Sequence, residues 1–481
     1  MTLDALNLMP ILPEIILLTL ASAILLLDVF MRAGASRDVT YWLSQAALAV
    51  TFVAVISGMS TEQRLSFEGS VINDGLSDVM KLFMLLATFM AFAMSRDYLK
   101  ERGIQKGEFY ILGLFGALGM MIMVSAYSLL LVYLGLELLS LVMYALVAVH
   151  RDDIRASEAA MKYFVLGALA SGLLLYGMSM LYGVTGSLDL AAIRQAIASG
   201  SEAEAALMFA MLFMVAGVAF KIGAAPFHMW LPDVYDGAPT GVTLYLSGAP
   251  TIASLALLLR LFGDALIVML PDWQTMLVVF AVISLFVGNV IAIAQTSFKR
   301  MLAYSSISHV GFILLGVLAG TKSGFGGALF YTIAYTLMTL GGFGLIAYLA
   351  SKGLEADQLD DLKGLNDRSP WMAFILLILM FSMAGIPFTL GFWAKLAVLQ
   401  AVVEIDMVWL ATYAVVMSVI GAFYYLRALK MAYFDKPLVQ GMPQRGWDMR
   451  MVTNVNGLAI LALGIYPTSL IALCASAFNA A

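Results

Sequence analysis

Cysteine is almost missing from this chain: Cys474 stands alone among 481 residues. That excludes internal disulfides, thiolate-held iron–sulfur clusters and cysteine zinc sites. Histidine is nearly as scarce, with His150, His228 and His309 only. No two of them fall on neighbouring apolar faces in a way that would clamp a haem. Charge is thin: Asp, Glu, Lys and Arg make up 12% of the residues, against about a quarter in an ordinary soluble domain. The formal net charge is −5 and there is no basic block, so nucleic acid is not an expected partner. No Walker motif or dinucleotide fingerprint occurs, and the chain is expected to bind no cofactor and to carry no redox centre of its own.

What fills the chain is apolar surface, with 62% hydrophobic residues and a mean hydropathy of +0.94. No stretch longer than roughly 20 residues has soluble composition, and a membrane span needs about that length of apolar chain. Candidate helices 1 to 14 cover 9–30, 41–59, 76–94, 109–124, 128–149, 159–184 and 205–230, then 238–262, 276–294, 301–319, 325–350, 371–403, 407–432 and 452–478. The expectation is an all-α integral membrane protein of about fourteen transmembrane helices with lipid as its main solvent. The segment MTLDALNLMPILPEI has no positive leader and no small-residue cleavage site, so it reads as the start of helix 1.

Lysine and arginine orient these helices. Eighteen of the 26 lie in the connections that follow odd helices or in the last turns of the helix before them, from Arg32 and Arg37 to Arg445 and Arg450. The even connections hold only Arg64, Arg194, Arg260 and Lys322. Odd connections therefore face the cytoplasm, and both termini the opposite side.

Helix 7 contains Gly223-Ala224-Ala225-Pro226-Phe227, and helix 12 contains Gly385-Ile386-Pro387-Phe388. Proline removes a backbone donor and clashes with the preceding turn, so both helices are expected to be broken. Lys221 precedes the first proline and Lys395 follows the second. Matching interrupted helices are a mark of inverted-repeat transport proteins. The two breaks are five helices apart, an odd number, so the second copy must be inverted. This predicts two inverted five-helix repeats, helices 4–8 and 9–13. The chain then divides into residues 1–106, a first repeat at 107–263, a second at 264–436, and 437–481 with helix 14.

Among the charges inside these helices, Glu137, Lys162, Lys221 and Lys395 stand out. Each costs about 2.5–3.5 kcal/mol at the bilayer centre on insertion scales. A desolvated lysine binds its proton less tightly, and a nearby carboxylate reverses that. Moving Glu137 relative to a lysine could load or unload a proton, although a structural ion pair is the plainer alternative. His228, just past the first break, could relay protons or satisfy a freed carbonyl. His309, among the serines of YSSISHVGF, suits a relay. His150 reads as interfacial, Lys299 and Arg300 as snorkelling anchors, and Lys81 as outside any proton path. The 32 methionines read as flexible packing.

Taken together, LGLELLSLVMYALVA, SEAAMKYFVLGALASGLLLYG, FKIGAAPFHMWLPDVYDGAPT, KRMLAYSSISHVGF and GIPFTLGFWAKL resemble the antiporter-like subunits of respiratory complex I, from about helix 3 to helix 13. The resemblance implies a fourteen-helix fold with broken helices 7 and 12 and a central chain of hydrated polar residues. It implies proton-transfer roles for Glu137 on helix 5, Lys162 on helix 6, Lys221 on helix 7 and Lys395 on helix 12. Thr251 stands where the family usually places a helix 8 lysine, so the link from Lys221 to Lys395 must run through hydroxyls, water or His309. The implied activity is that of a subunit in a redox-driven proton translocase, an NADH:quinone oxidoreductase, in a bacterial inner membrane. Implied partners are the other membrane subunits, including the neighbouring antiporter-like subunit M and small subunits. The alternative is a subunit of a multi-subunit cation/proton antiporter, which shares the fold. A purely structural scaffold would not need four charges within its membrane helices.

Overall fold

The computed structural model describes residues 7–31, 37–60, 62–200, 203–438 and 441–478. Arg32 and the first six residues of the N-terminal segment lie outside the described residues. Lipid offers no hydrogen bonds to a backbone, so each crossing segment closes its own ladder as a helix. Among the described residues, twelve helices are long and apolar enough to span a membrane, or thirteen if the bent pair Trp447–Ile465 and Thr468–Ser476 is one span. This is fewer than the fourteen expected. The difference arises at helix 14, whose two pieces count only when taken together, and at helix 12, which is split into Pro370–Ala384 and Leu390–Glu404, each of 15 residues and too short to cross alone.

Helix 7 is broken as its sequence predicts, into Glu204–Ile222 and the half-helix Trp230–Gly237. Both breaks use the same local device. Gly223 and Gly385 adopt the left-handed conformation, with φ of 75° and 85°. In each case the glycine N–H bonds back three residues and the next N–H bonds back five, from Ala224 to Ala219 and from Ile386 to Phe381. This is the Schellman end, and Pro226 and Pro387 then prevent the helix from resuming at once. Helix 8 is kinked as well: Thr240–Ser247 and Ala249–Leu258 meet at Gly248, and a π-turn, Leu259–Ala265, follows.

The connections sort onto two faces. Those after odd helices meet one another: Ser297 bridges Gln358, Arg445 pairs with Glu101 at 2.8 Å, and Gly446 N–H donates to Asp97. Those after even helices meet on the other face, where Val71 bridges Ala126 and Ser128 bridges Asp189. A chain that alternates sides at every crossing gives this segregation. The even face also carries two elements outside the all-α expectation: a two-stranded ladder, Arg64–Ser66 with Val71–Asn73, and a short helix, Leu190–Ala198.

Helix 11, Lys322–Leu349, is enclosed by protein along its length, whereas helices 1 and 6 lie at the rim and present Leu26, Phe30, Phe164 and Leu169 outward. Helix 11 approaches its neighbours through glycines, with Gly344 against Met94 of helix 3 and Gly327 against Ala397 of helix 12. It is the axle on which the polar residues of both halves converge.

Candidate functional site

Lys221 closes the first half of helix 7, two residues before Gly223. Its Nζ donates to Ser140 Oγ on helix 5 at 2.8 Å. Glu137 lies one helical turn from Ser140, so it shares that face but does not touch the lysine. It is half-buried, and its Oε1 is enclosed with no hydrogen-bond partner among the described residues. The two opposite charges are thus near one another and unpaired, with a hydroxyl between them.

Two small cavities flank Lys221. One, of about 10 Å³, is bordered by Ser140, Tyr144 and Ser171 on helices 5 and 6. The other, of about 40 Å³, reaches toward the second half of the molecule and is lined by Thr251, Ser254, Ser306 and Tyr335 with apolar neighbours. A water needs about 10–15 Å³ of such space and two or more polar partners, so the larger cavity has room for two or three. Thr251 donates to the Ser247 carbonyl at 3.0 Å and is one of the residues that line this cavity.

Beyond the cavity stands His309, 3% exposed. Its Nδ1 lies 2.7 Å from the Tyr331 hydroxyl and its Nε2 3.1 Å from that of Tyr425. Tyr335, which lines the cavity, packs against the imidazole with ring centroids 4.9 Å apart. Phe312 stacks on Tyr331 and lies beneath Lys395, whose Nζ is 5.0 Å from the ring. Lys395 donates to the carbonyls of Met383 and Ala384 and to Ser418 Oγ, at 3.1, 2.9 and 2.8 Å. It therefore caps the first half of helix 12, where orphan carbonyls and the helix dipole favour a cation. Neither Lys221 nor Lys395 has a carboxylate within ion-pair distance among the described residues. Contacts thus run in a line from Lys221 and Thr251 at the cavity, through Tyr335, to His309 and Tyr331, and through Phe312 to Lys395.

Lys162 does not join this line. Expected inside the bilayer, its side chain is 44% exposed and bonds Glu158 and Asp233, each at 2.9 Å. The physical reason is its place two turns into helix 6, level with the end of the broken helix 7 and its acidic residues. Asp233 also binds Arg300 at 2.9 Å. Burial works against ionisation of Asp233, but its bonds to Lys162 and Arg300 outweigh burial and hold its carboxyl below the usual carboxylate range. His228 sits past the first break, half-buried, with Nδ1 enclosed and unpartnered among the described residues; it is not among the residues that line the Lys221 cavity.

Three groups carry more than the sequence reading gave them. Lys299 is no snorkelling anchor: it is 2% exposed and donates to the Ala238 carbonyl at 2.6 Å. Lys81 is buried against Glu14 of helix 1 at 2.7 Å, and an acid five residues inside helix 1 was the available signal. Arg260 forks onto Asp74 at 2.9 and 2.8 Å. Burial again opposes ionisation of Asp74, yet Arg260 and Ser77 hold its carboxyl below the ordinary range. Nothing in the sequence pairs residues 74 and 260. Among the described residues, no cluster of His, Cys, Asp or Glu could hold a metal ion.

Comparison with known proteins gives consistent results. The profile of the family described as NADH:quinone oxidoreductase/Mrp antiporter, TM, matches residues 126–421. The protein named NADH-quinone oxidoreductase subunit N in Thioalkalivibrio sulfidiphilus is 55% identical over 480 residues, covering 100% of both chains. Its namesake in Thiobacillus denitrificans is 55% identical over 479 residues, covering 100% of this chain and 99% of its own. A chain in the structure of respiratory complex I from Thermus thermophilus with bound aureothin superposes with a TM-score of 0.83 at 30% identity, covering 96% of this chain and all of that one. A chain of the Mrp complex from Dietzia sp. shares the fold, with a TM-score of 0.86 at 20% identity, covering 99% of this chain and 97% of that one.

Proposed function

Because the chain belongs to the NADH:quinone oxidoreductase/Mrp antiporter transmembrane family, we propose that it is the N-type membrane-arm subunit of a bacterial NADH-quinone oxidoreductase, moving protons while quinone is reduced elsewhere in the complex. The likeness to subunit N over the full length supports this reading over the antiporter. Its partners are the other membrane subunits, with the antiporter-like subunit M among its neighbours. The membrane is the inner one, with both termini on the periplasmic side, as the lysine and arginine distribution predicts.

One observation carries the mechanism: the lysines at both helix breaks bond to serine hydroxyls and to no carboxylate among the described residues, with hydroxyls and His309 between them. Lys221 hands its proton through cavity water past Thr251 toward Tyr335 and His309. A lysine that has lost its proton is neutral, and approach of the Glu137 carboxylate favours reloading it. Lys395 is the last carrier. The matched Schellman breaks support helices 4–8 and 9–13 as two units, residues 107–263 and 264–436, meeting at this line. Lys162 joins the proton path only if its clamp by Glu158 and Asp233 opens.

The test is proton pumping by the assembled complex in inverted vesicles. Lys221→Met and Lys395→Met should each abolish most pumping at normal complex levels. Lys395→Arg should do the same, because Arg keeps the charge but does not release its proton. Wild-type pumping in all three would overturn the reading. Co-purification with flavin and iron–sulfur subunits is expected, and their absence would favour the antiporter.

A further inference from the structure

Helix 1 does not close against the first repeat on the face where the even connections gather. A cavity of about 510 Å³ lies between helix 1, helices 4 and 5, and the hairpin of residues 64–73. Proteins hold small organic ligands in cavities of about 300–1,000 Å³. The deeper wall is apolar, with Leu18 from helix 1 and Leu118 and Ile122 from helix 4. Helix 4 ends at Ser125 on this face, and from there to Leu118 is about 10 Å of helix. Leu18 and Leu130 line the cavity and are 46% and 55% exposed. Both stand on membrane helices, so the mouth opens sideways on the apolar rim.

The upper wall is polar and unsatisfied. Glu14, in the first turn of helix 1, is 7% exposed and pairs with Lys81 through Oε1 at 2.7 Å. Its Oε2 has no hydrogen-bond partner among the described residues, and neither has the Oγ of Ser125, which is 2% exposed. Both residues line the cavity. A buried donor or acceptor left unmade is costly, so each oxygen calls for a partner that enters from the cavity. The hairpin turn stands at the rim. Its Phe67 and Glu68 hold φ of 50° and 54°, a conformation that hairpins usually assign to Asn and Gly. Both line the cavity, and Glu68 is exposed, with no ion pair among the described residues. No lysine or arginine lines it.

We propose that this cavity is a lipid site that holds a phospholipid with an ammonium head group, phosphatidylethanolamine, with one acyl chain along Leu18, Leu118 and Ile122. Burial of that chain against the apolar wall supplies the attraction. The head group is chosen by charge. Basic pockets select anionic lipids; this one has acids instead, Glu68 at the rim and Glu14 at the inner wall. An ammonium donates to their free carboxylate oxygens, and the Ser125 hydroxyl donates to a phosphate or ester oxygen of the lipid. An anionic lipid would bring its phosphate to the same carboxylates with no ammonium to offset it. The lipid fills the gap between helix 1 and the first repeat.

The probe is phosphatidylethanolamine with a diazirine on one acyl chain, in vesicles that hold the assembled complex. Irradiation should attach it to peptides of this chain that contain Leu18 or residues 118–122. A charge near a membrane surface is worth about fivefold in binding, so unlabelled phosphatidylethanolamine should compete about fivefold better than phosphatidylglycerol. Glu68→Lys, at an exposed position, should reverse that order while the amount of assembled complex stays at the wild-type level. Ile122→Trp fills the cavity and should abolish attachment there. Attachment only at other peptides would overturn the proposal and show that a protein neighbour covers the cavity. Unchanged attachment in Ile122→Trp would overturn it too. So would equal competition by phosphatidylglycerol, or an order that Glu68→Lys leaves as it was. If Ile122→Trp fails to assemble, the wild-type attachment sites and Glu68→Lys decide.

Discussion

Thr251 faces the cavity beside Lys221 and holds its hydroxyl on its own helix, bonded to Ser247. A hydroxyl orders water without storing charge. Thr251→Val keeps the volume and removes that hydroxyl, so pumping should slow severalfold while the amount of assembled complex stays normal. An unchanged rate would mean that the Lys221 cavity orders its water without helix 8. Asp233 has a different kind of effect. Its carboxyl is held below the ordinary range by Lys162 and Arg300, so its ion pairs stabilise the fold at neutral pH and lose that contribution as pH falls through the depressed value. Asp233→Asn should therefore unfold at a lower temperature than wild type at pH 7, and the gap should close below about pH 4. A gap that persists there would show that the difference is packing and not charge.

At the scale of elements, the two breaks depend on backbone that only glycine adopts cheaply. Left-handed backbone costs about 1–2 kcal/mol for other residues. Three glycines with similar φ separate that cost from function. A Cβ at Gly186 meets nothing within 4 Å, whereas at Gly385 it would lie 2.9 Å from Lys395 Cδ and at Gly223 2.5 Å from Leu231 Cδ1. All three Gly→Ala variants should lower the thermal midpoint of the complex. Only Gly385→Ala and Gly223→Ala should also lose pumping per assembled complex, because one pushes on the Lys395 side chain itself and the other on Leu231, which lines the cavity beside Lys221. Equal pumping in all three would remove the breaks from the mechanism.

Across the whole molecule, charges hold the three N-terminal helices to the repeats. Arg260 at the end of helix 8 grips Asp74, the N-cap of helix 3, by two bonds in a buried site. Removing one partner of such a pair costs about 3–5 kcal/mol, since the other is left charged and unpaired. Arg260→Met should therefore sharply reduce complex abundance, and adding Asp74→Asn should restore much of it. Failure of the second change to help would assign the loss to Asp264 and the Val124 carbonyl, which Arg260 also binds.

The sequence by itself determined the membrane class, the alternation of faces and the two breaks, because each follows from local chemistry. Twenty apolar residues must be helical in lipid, lysine and arginine mark one side, and a glycine followed by proline ends a helix wherever it lies. It also picked out Lys221, His309 and Lys395, since a polar group inside an apolar run is legible without knowing its neighbours, whereas Thr251 stood out only through the family resemblance. Which of those groups meet was decided only by tertiary structure. The exposure of Lys162, the burial of Lys299, the Glu14–Lys81 pair and the Arg260–Asp74 fork all depend on which helices become neighbours. A residue's solvent is set by the segments packed around it, and residues 74 and 260, 186 positions apart, come together only when helices 3 and 8 pack against the same central helix 11.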